Sequence, residues 1–256
     1  RGAKKIYLGL GGSGTNDGGA GMAQALGYSL QDREGREILP GIQGLKDIDS
    51  IDDSNRCKSL DDIEIIALSD VNNPLTGPEG ATKIFGAQKG VNPDQFEEED
   101  QWLSHYDALL SNHFKKEIGI QAGAGAAGGL GAGLLAFCRA EIKNGINEIL
   151  QLISLEQKMK TADLVITGEG KMDSQSLKGK GPVGIAKLAK ACGCPTISVV
   201  GSYEEDIAQI YEEGIDVVIP IIHRPMALEE AIKSVESNVL MTGQLIARIL
   251  KLKKRL

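Results

Sequence analysis

The chain is poor in aromatic residues, in histidine and in long apolar runs. Each of these scarcities argues against a fold class, a membrane span or a type of catalytic site. Aromatic side chains make up 4% of the 256 residues, which argues against an all-β sandwich. No apolar run approaches the roughly 20 residues that a membrane span requires, so no membrane partner is expected. The three histidines, His105, His113 and His223, fit neither a Cys-His arrangement nor a serine-nucleophile motif. We expect surface or packing roles for them.

Cysteines and basic clusters are also scarce. The four cysteines form no C-x-x-C pair, and Cys192 and Cys194 are too close for the usual zinc pattern. Reduced thiols in a cytoplasmic protein are therefore expected. The net charge is −7, and the only basic run lies in the tail at 251–255. Because a nucleic-acid surface needs a basic stripe, no nucleic-acid partner is expected.

Glycine is plentiful instead, with 33 residues, and one cluster joins a strand to a helix. An apolar strand at 6–10 runs into a glycine loop at 11–19, and a helix is predicted at 20–26. Backbone amides in such a loop bind anions. The candidate substrate- or phosphate-binding residues of the loop are Gly12, Ser13, Thr15, Asn16 and Asp17. Each of the four side chains could instead cap the helix, but four exceed what one cap needs.

The loop matches neither common nucleotide motif. Gly9, Gly11 and Gly14 have the G-x-G-x-x-G spacing, but no acidic residue follows convincingly at the end of a second strand. No Lys-Ser or Lys-Thr pair follows the glycines either, which excludes a Walker loop.

Further along, the pattern predicts strands at 36–39 and 63–68, joined by an irregular connection. The second strand is followed by Asp70 and Asn72, which either form a turn before a proline or face a ligand. Asn92 and Pro93 begin a predicted helix that runs to about residue 118. The small residues at 123–133, with a helix at 134–139, would let another backbone or a ligand approach closely.

The last third alternates strands with helices, which is typical of βαβ units. Strands are predicted at 162–167, 195–201 and 217–222, and helices at 182–191, 205–213, 227–236 and 242–253. The fold class is therefore α/β, with two α/β domains, of which the C-terminal one is a Rossmann-like parallel sheet flanked by helices. The natural division falls at the glycine-rich connection, giving domains at 1–122 and 123–256.

The turn at 168–176 is expected where a buried strand ends and a helix begins, a position that faces ligands in open α/β sheets. It carries Glu169, Lys171, Asp173 and Gln175. Just beyond it, Lys178 and Lys180 are either surface charges or phosphate ligands. Acids, amides and lysines on glycine-rich strand ends favour phosphoryl transfer to a small acidic alcohol over hydrolysis.

Five motifs together resemble the bacterial-type glycerate kinases. They span nearly the whole chain in the expected order. They are GLGGSGTNDGGAGM at 9–22, SDVNNPLTGPEGA at 69–81, FGAQKG at 85–90, GAGAAGGLGAG at 123–133 and the segment 162–176. Lys171 stands where that family usually has arginine. Lysine keeps the positive charge but cannot form the bidentate hydrogen bonds that arginine makes to a carboxylate or a phosphate.

The resemblance implies ATP-dependent phosphorylation of D-glycerate to a phosphoglycerate with Mg²⁺, in a cleft between two α/β domains. We expect Asp173, or else Asp70, to accept the hydroxyl proton, and either acid could hold the metal. Lys178 or Lys180 and the amides around Ser13 would hold anionic groups. Whether the 2- or the 3-hydroxyl is phosphorylated and whether the chain forms homo-oligomers stay open.

Members of that family also begin with an additional N-terminal segment. The first strand of that segment ends in an Asp-Ser-Phe-Lys motif, and this sequence contains no counterpart to it. We therefore expect a C-terminal part of a longer protein, with an exposed sheet edge that leaves the isolated 256 residues unstable or inactive. The alternative function is a non-catalytic module that binds a hydroxy acid or a nucleotide. A dehydrogenase that uses the glycine loop for NAD is a more distant alternative.

Overall fold

The computed structural model describes residues 2–173, 176–178, 181–204 and 207–252. The chain divides into two compact units, Arg1–Gly145 and Ile146–Leu256. The division falls later than the predicted boundary after residue 122, because the glycine-rich segment at 123–133 packs within the first unit and not between the units.

The first unit contains a three-stranded parallel sheet in the order β1-β4-β5. These strands are β1 (Lys5–Gly9), β4 (Glu64–Ser69) and β5 (Glu141–Asn144). Strand β4 is central and mostly buried, and it pairs in parallel with both neighbours. The apolar patterns behind β1 and β4 are confirmed. Strand β5 was not predicted, because its sequence is mostly polar and its pairing with β4 brings it into the sheet.

The predicted strand at 36–39 is wrong. The structure has instead an antiparallel pair formed by β2 (Ser29–Asp32) and β3 (Ile48–Asp52). Residue Glu37 makes only an isolated bridge to Gln31. The connection between residues 39 and 63, which was expected to be irregular, therefore contains β3. Its sequence is mostly polar and does not show a strand pattern.

Four helices complete the first unit: α1 (Ala20–Ala25), α2 (Ala81–Phe85), α3 (Phe96–Phe114) and α4 (Ala126–Phe137). A 3₁₀ turn precedes α3, and there the Oδ1 atom of Asn92 accepts from the amide of Asp94 at 3.2 Å, as the capping pattern predicts. Helix α3 ends four residues before the predicted end, because Lys115 adopts a left-handed conformation with φ of 54°. Its buried residues Leu103, Tyr106 and Leu110 belong to the main core.

The small residues at 123–133 bring α4 against the glycine loop. The amide of Gly18 donates to the carbonyl of Gly128 at 3.0 Å. A Cβ atom on Gly128 would lie 1.9 Å from the carbonyl oxygen of Thr15, and one on Gly129 would lie 2.7 Å from the Cα atom of Gly18. The expected close approach is therefore made by a backbone, and it requires glycine at these positions.

The second unit contains a parallel sheet in the order β6-β7-β8, with helices around it. Its strands are β6 (Val165–Met172), β7 (Thr196–Tyr203) and β8 (Val217–Pro220). Its helices, including one that begins at the end of the first unit, are α5 (Gly145–Leu152), α6 (Leu155–Met159), α7 (Gly181–Ala191), α8 (Ala208–Glu212), α9 (Leu228–Lys233) and α10 (Val235–Leu252). Helices α5 and α6 were not predicted. Among the described residues, no helix is long and apolar enough to cross a bilayer.

Strand β6 begins later and ends later than predicted, at Met172 instead of residue 167. Its pairing with β7 continues as far as Met172 and Tyr203, which keeps the backbone extended through the two glycines. Glu169 and Lys171 therefore lie on the strand itself, and Asp173 is the first residue after it. This corrects the predicted turn at 168–176.

Candidate functional site

Two parallel sheets place polar residues at their carboxyl edges, one in each unit. In the first unit, β1 ends at Gly9, β4 at Ser69 and β5 at Asn144, so the segments that follow them meet at one edge. A cavity of about 360 Å³ opens there. It is lined by Leu10, Gly11, Gly12, Ser13, Val71, Phe85, Gln88, Lys89 and Ala127.

The glycine loop presents unpaired amides to this cavity. Within the described part of the chain, no hydrogen bond engages the backbone amides of Gly11, Gly12 or Ser13. Gly12 has φ of 64°, a left-handed conformation of the kind from which anion-binding backbone concavities are built. This geometry is compatible with anion binding at Gly12 and Ser13, which stays a prediction.

Lys89 supplies the charge of this cavity, and it was not among the predicted site residues. Its Nζ atom donates to the carbonyl oxygen and to the Oγ atom of Ser13, both at 2.6 Å. Burial lowers the pKa of the Lys89 ammonium. The signal in the sequence was the position of Lys89 between Gln88 and Gly90, in the motif FGAQKG at 85–90 that carries part of the resemblance.

The other polar residues of the loop support its shape. Asn16 is 7% exposed, and its Nδ2 atom donates to Thr82 Oγ1 and Glu99 Oε2, both at 2.9 Å. Burial raises the pKa of Glu99 in this network, although the bond from Asn16 opposes the shift. Asp17 caps α1, since its carboxylate accepts from the amides of Gly19 and Gly21 at 3.0 and 3.1 Å. Thr15 is exposed.

Asp70 and Asn72 follow β4 at the same carboxyl edge, and both are exposed. The Oδ1 atom of Asp70 accepts from the amide of Gly145 at 3.2 Å, which ties the end of β4 to the end of β5. Between the two predicted residues, Val71 reaches the cavity wall. The alternatives of turn and ligand contact are therefore both compatible with this geometry.

The carboxyl edge of the second unit gathers three charged residues. The Nζ atom of Lys171 lies 2.8 Å from Glu204 Oε1 and 3.8 Å from Asp173 Oδ2. The hydrogen bond with Glu204 is the main cause that raises the pKa of Lys171. Asp173 is half-buried, and its amide donates to Ser176 Oγ at 3.2 Å.

Glu169 joins this group through the same hydroxyl, because Ser176 Oγ donates to Glu169 Oε1 at 2.8 Å. The structure thus brings together Glu169, Lys171 and Asp173 of the predicted site. Gln175 and Lys180 lie outside the described residues, and so does the side chain of Lys178.

No group of three metal-ligating His, Cys, Asp or Glu side chains occurs in the described ranges. Mg²⁺ is commonly bound by one or two carboxylates together with substrate phosphates, so a single strand-end acid is a suitable donor. Asp70 fits this requirement, because it is exposed and only its Oδ1 atom is engaged.

Comparison with known proteins then identifies the family. The family model described as "Glycerate kinase family" matches residues 1–251. The chain belongs to the glycerate kinase family. The fold predicted from the motifs and the family resemblance are both confirmed.

Individual relatives in this family share about two fifths of their residues with the chain. It is 43% identical over 253 residues to a glycerate kinase from Bacillus subtilis (strain 168), with 99% of this chain and 66% of the relative covered. It is 42% identical over 254 residues to a glycerate 2-kinase from Escherichia coli (strain K12), with 99% and 67% covered.

A crystal structure shows the same similarity. The protein, from Salmonella typhimurium LT2 and designated a glycerate kinase 2, superposes with a TM-score of 0.85 at 43% identity, covering 99% of this chain and 66% of that one. The chain thus spans about two thirds of the length of the relatives it matches.

Proposed function

We propose that this protein takes part in the ATP-dependent phosphorylation of D-glycerate to a phosphoglycerate. Membership of the glycerate kinase family is the observation that carries the proposal. The chemistry of the described residues supports it, since a glycine loop with unpaired amides, a cation and strand-end carboxylates form the inventory that phosphoryl transfer needs. The reduced state of the four cysteines fits a cytoplasmic enzyme.

In the proposed reaction, a hydroxyl oxygen of glycerate attacks the γ-phosphorus of ATP while a carboxylate accepts the hydroxyl proton. The oxygen–phosphorus bond to glycerate forms as the bond to ADP breaks. We propose Asp173 as the acceptor of the proton, with Asp70 as the alternative. Both follow parallel strands, where ligands of open α/β sheets bind.

The remaining predicted residues would hold anionic groups. We assign this role to the loop at Gly12 and Ser13, to Lys171 near the carboxyl end of β6, and to Lys178 and Lys180, which come later in the chain. Asn16 and Asp17 act through the shape of the loop, because their side chains are engaged within the first unit. Mg²⁺ held by Asp70 or Asp173 would neutralise charge on the nucleotide phosphates.

The test is a coupled assay of ADP release with D-glycerate and ATP, using protein whose intact mass shows that it contains only these 256 residues. Phosphorus NMR of the product distinguishes 2- from 3-phosphoglycerate. We propose the 2-hydroxyl, because one relative is a glycerate 2-kinase. Formation of phosphoglycerate supports the activity, and its absence at any enzyme concentration contradicts it for this chain.

A second candidate function is binding of a hydroxy acid or a nucleotide without turnover, which the unpaired amides and the lysine at the cavity of the first unit would also serve. Calorimetric titrations with D-glycerate and with ATP, set beside the kinase assay, separate the two functions. Binding of either ligand without product formation identifies a binding module.

A further inference from the structure

The cavity of the first unit contains a cation without an anionic partner. Lys89 is half-buried, and within the described ranges its ammonium group donates hydrogen bonds only to the two neutral oxygens of Ser13. Among the described residues, no carboxylate forms an ion pair with it. The nearby Lys83, on α2, pairs instead with Glu97. A partly buried ammonium that is paired only with neutral oxygens is suited to bind an anion.

The electrostatics point to a ligand. Burial lowers the pKa of the Lys89 ammonium, which means that the charged form loses hydration without a compensating charge. Two of its three hydrogen-bond donors are used by Ser13. An anion in the cavity would accept the third donor and offset the lost hydration.

The glycine loop provides further donors on the same cavity. Gly11, Gly12 and Ser13 line it together with Lys89, and their amides are not bonded within the described chain. The bond between Lys89 and Ser13 fixes the ammonium beside these amides. The ammonium group of Lys89 and the backbone amides of the loop thus lie at the same small cavity, where one anion could accept hydrogen bonds from both.

The charge and size of the cavity limit what it binds. Of the described residues that line it, only Lys89 is charged, and the volume is about 360 Å³. One positive charge matches a monoanion, whereas a nucleotide triphosphate is stabilised by several cations and metal ions. A small hydroxy acid matches both the charge and the volume.

We propose that Lys89 and the amides of Gly11, Gly12 and Ser13 bind the carboxylate of the phosphoryl acceptor. The inference rests on the proposed function for the identity of the ligand, and it names the substrate group that this subsite holds. The subsite would explain a preference for an acid over a neutral polyol, because the half-buried ammonium of Lys89 gains no opposite charge when a neutral molecule is bound.

The experiment measures binding, so that it does not depend on turnover. Calorimetric titrations with D-glycerate, with its neutral amide glyceramide and with ADP are made on the wild type and on Lys89→Met, Lys89→Arg and Lys83→Met. Lys83→Met is the matched control, since it removes a neighbouring lysine that does not line the cavity. Thermal unfolding of each variant shows whether it is folded.

We expect Lys89→Met to weaken glycerate binding about tenfold or more and to abolish the preference for glycerate over glyceramide. Lys89→Arg should retain part of the affinity, and ADP binding should change less than about twofold in every variant, as should glycerate binding in Lys83→Met.

Three results would overturn the proposal: equal glycerate affinity in wild type and Lys89→Met, weaker ADP binding with glycerate binding unchanged, and no glycerate binding to the wild type. If Lys89→Met is unfolded, the comparison between wild type and Lys89→Arg and the glyceramide titration decide. Failure of the proposed function is a different result, namely Lys89-dependent glycerate binding by a protein that forms no phosphoglycerate.

Discussion

Asp70 and Asp173 occupy equivalent positions after parallel strands but differ in their surroundings. Asp70 is exposed and accepts a bond from the amide of Gly145. Asp173 is half-buried, lies 3.8 Å from the ammonium of Lys171 and is fixed by Ser176. Asp173 is thus held in place beside a cation, whereas Asp70 lies open to solvent at the end of β4.

We expect Asp173→Asn to lower kcat by about a hundredfold or more, because an amide cannot accept the hydroxyl proton. Steady-state kinetics with D-glycerate and ATP check this, with Asp163→Asn as the control because Asp163 is exposed and precedes β6. If Asp70→Asn loses kcat while Asp173→Asn keeps it, the proton acceptor is Asp70.

Glu99 is a buried acid whose ionisation opposes folding. Burial raises its pKa above the ordinary value of 4.5, so the unfolded chain releases this proton at lower pH than the folded one. Stability from the neutral carboxyl is therefore complete below pH 4.5 and is lost as the pH rises through the folded pKa. Glutamine at this position stays neutral and still offers an oxygen to Asn16.

The stability of Glu99→Gln relative to the wild type should therefore rise as the pH increases from about 4.5 and then level off above the folded pKa. Urea unfolding of both proteins between pH 4 and 8 measures the difference. A difference that is constant across this range, or that falls, contradicts the raised pKa.

At the scale of elements, the contact between α4 and the glycine loop shapes the candidate site. Ala127, Gly128 and Gly129 have left-handed conformations at the start of α4, and the loop at 15–18 lies directly against them. Ala127 lines the same cavity as the loop amides. Part of the glycine excess, including Gly128 and Gly129, thus results from the need for two backbones to approach within van der Waals distance.

Gly128→Ala should reduce the free energy of unfolding by about 3 kcal/mol or more, because it adds a clash with a backbone oxygen to left-handed strain. The matched control is Gly35→Ala, since Gly35 also has positive φ but has open space where the Cβ atom would stand. In Gly35→Ala the free energy of unfolding should fall by only about 1 kcal/mol. Equal losses in urea unfolding would show that conformation alone, and not the close approach, requires glycine.

The elements that the sequence predicted well are those with a strong local pattern. Strand β4 has an apolar run, and the approach to α3 has Asn92 and Pro93. Strands β3 and β5 are mostly polar, and partners distant in the chain decide their conformation. The end of β6 was misplaced for the same reason, because pairing with β7 carries the strand through glycines that locally favour a turn.

At the scale of the whole molecule, the two units differ in their cores. The largest core cluster has 22 buried residues, all in the first unit, whereas the clusters of the second unit have seven and three. Of the 21 exposed large hydrophobic side chains in the described residues, 17 belong to the second unit, including Ile166, Leu228 and Leu240. Less buried apolar area gives less stabilisation.

We therefore expect the second unit to unfold at a lower urea concentration than the first. Trp102, the single tryptophan, packs against the core of the first unit, so its fluorescence follows that unit, while far-UV circular dichroism follows both. The dichroism transition should begin before the fluorescence transition. Coincident transitions would show instead that the chain unfolds as one cooperative structure. Instability of the isolated 256 residues stays a prediction that this titration also addresses.

The sequence by itself determined the α/β class and the family, and it predicted the glycine loop as an anion-binding segment, because each depends on residue patterns that are local in the chain. Tertiary structure alone decided which loop residues reach the cavity and which hold the loop in shape, as Asn16 does through Thr82 and Glu99. It also brought Lys89 to Ser13 across 76 positions of the chain. Such contacts arise from packing between distant segments, and no local pattern in the sequence encodes them.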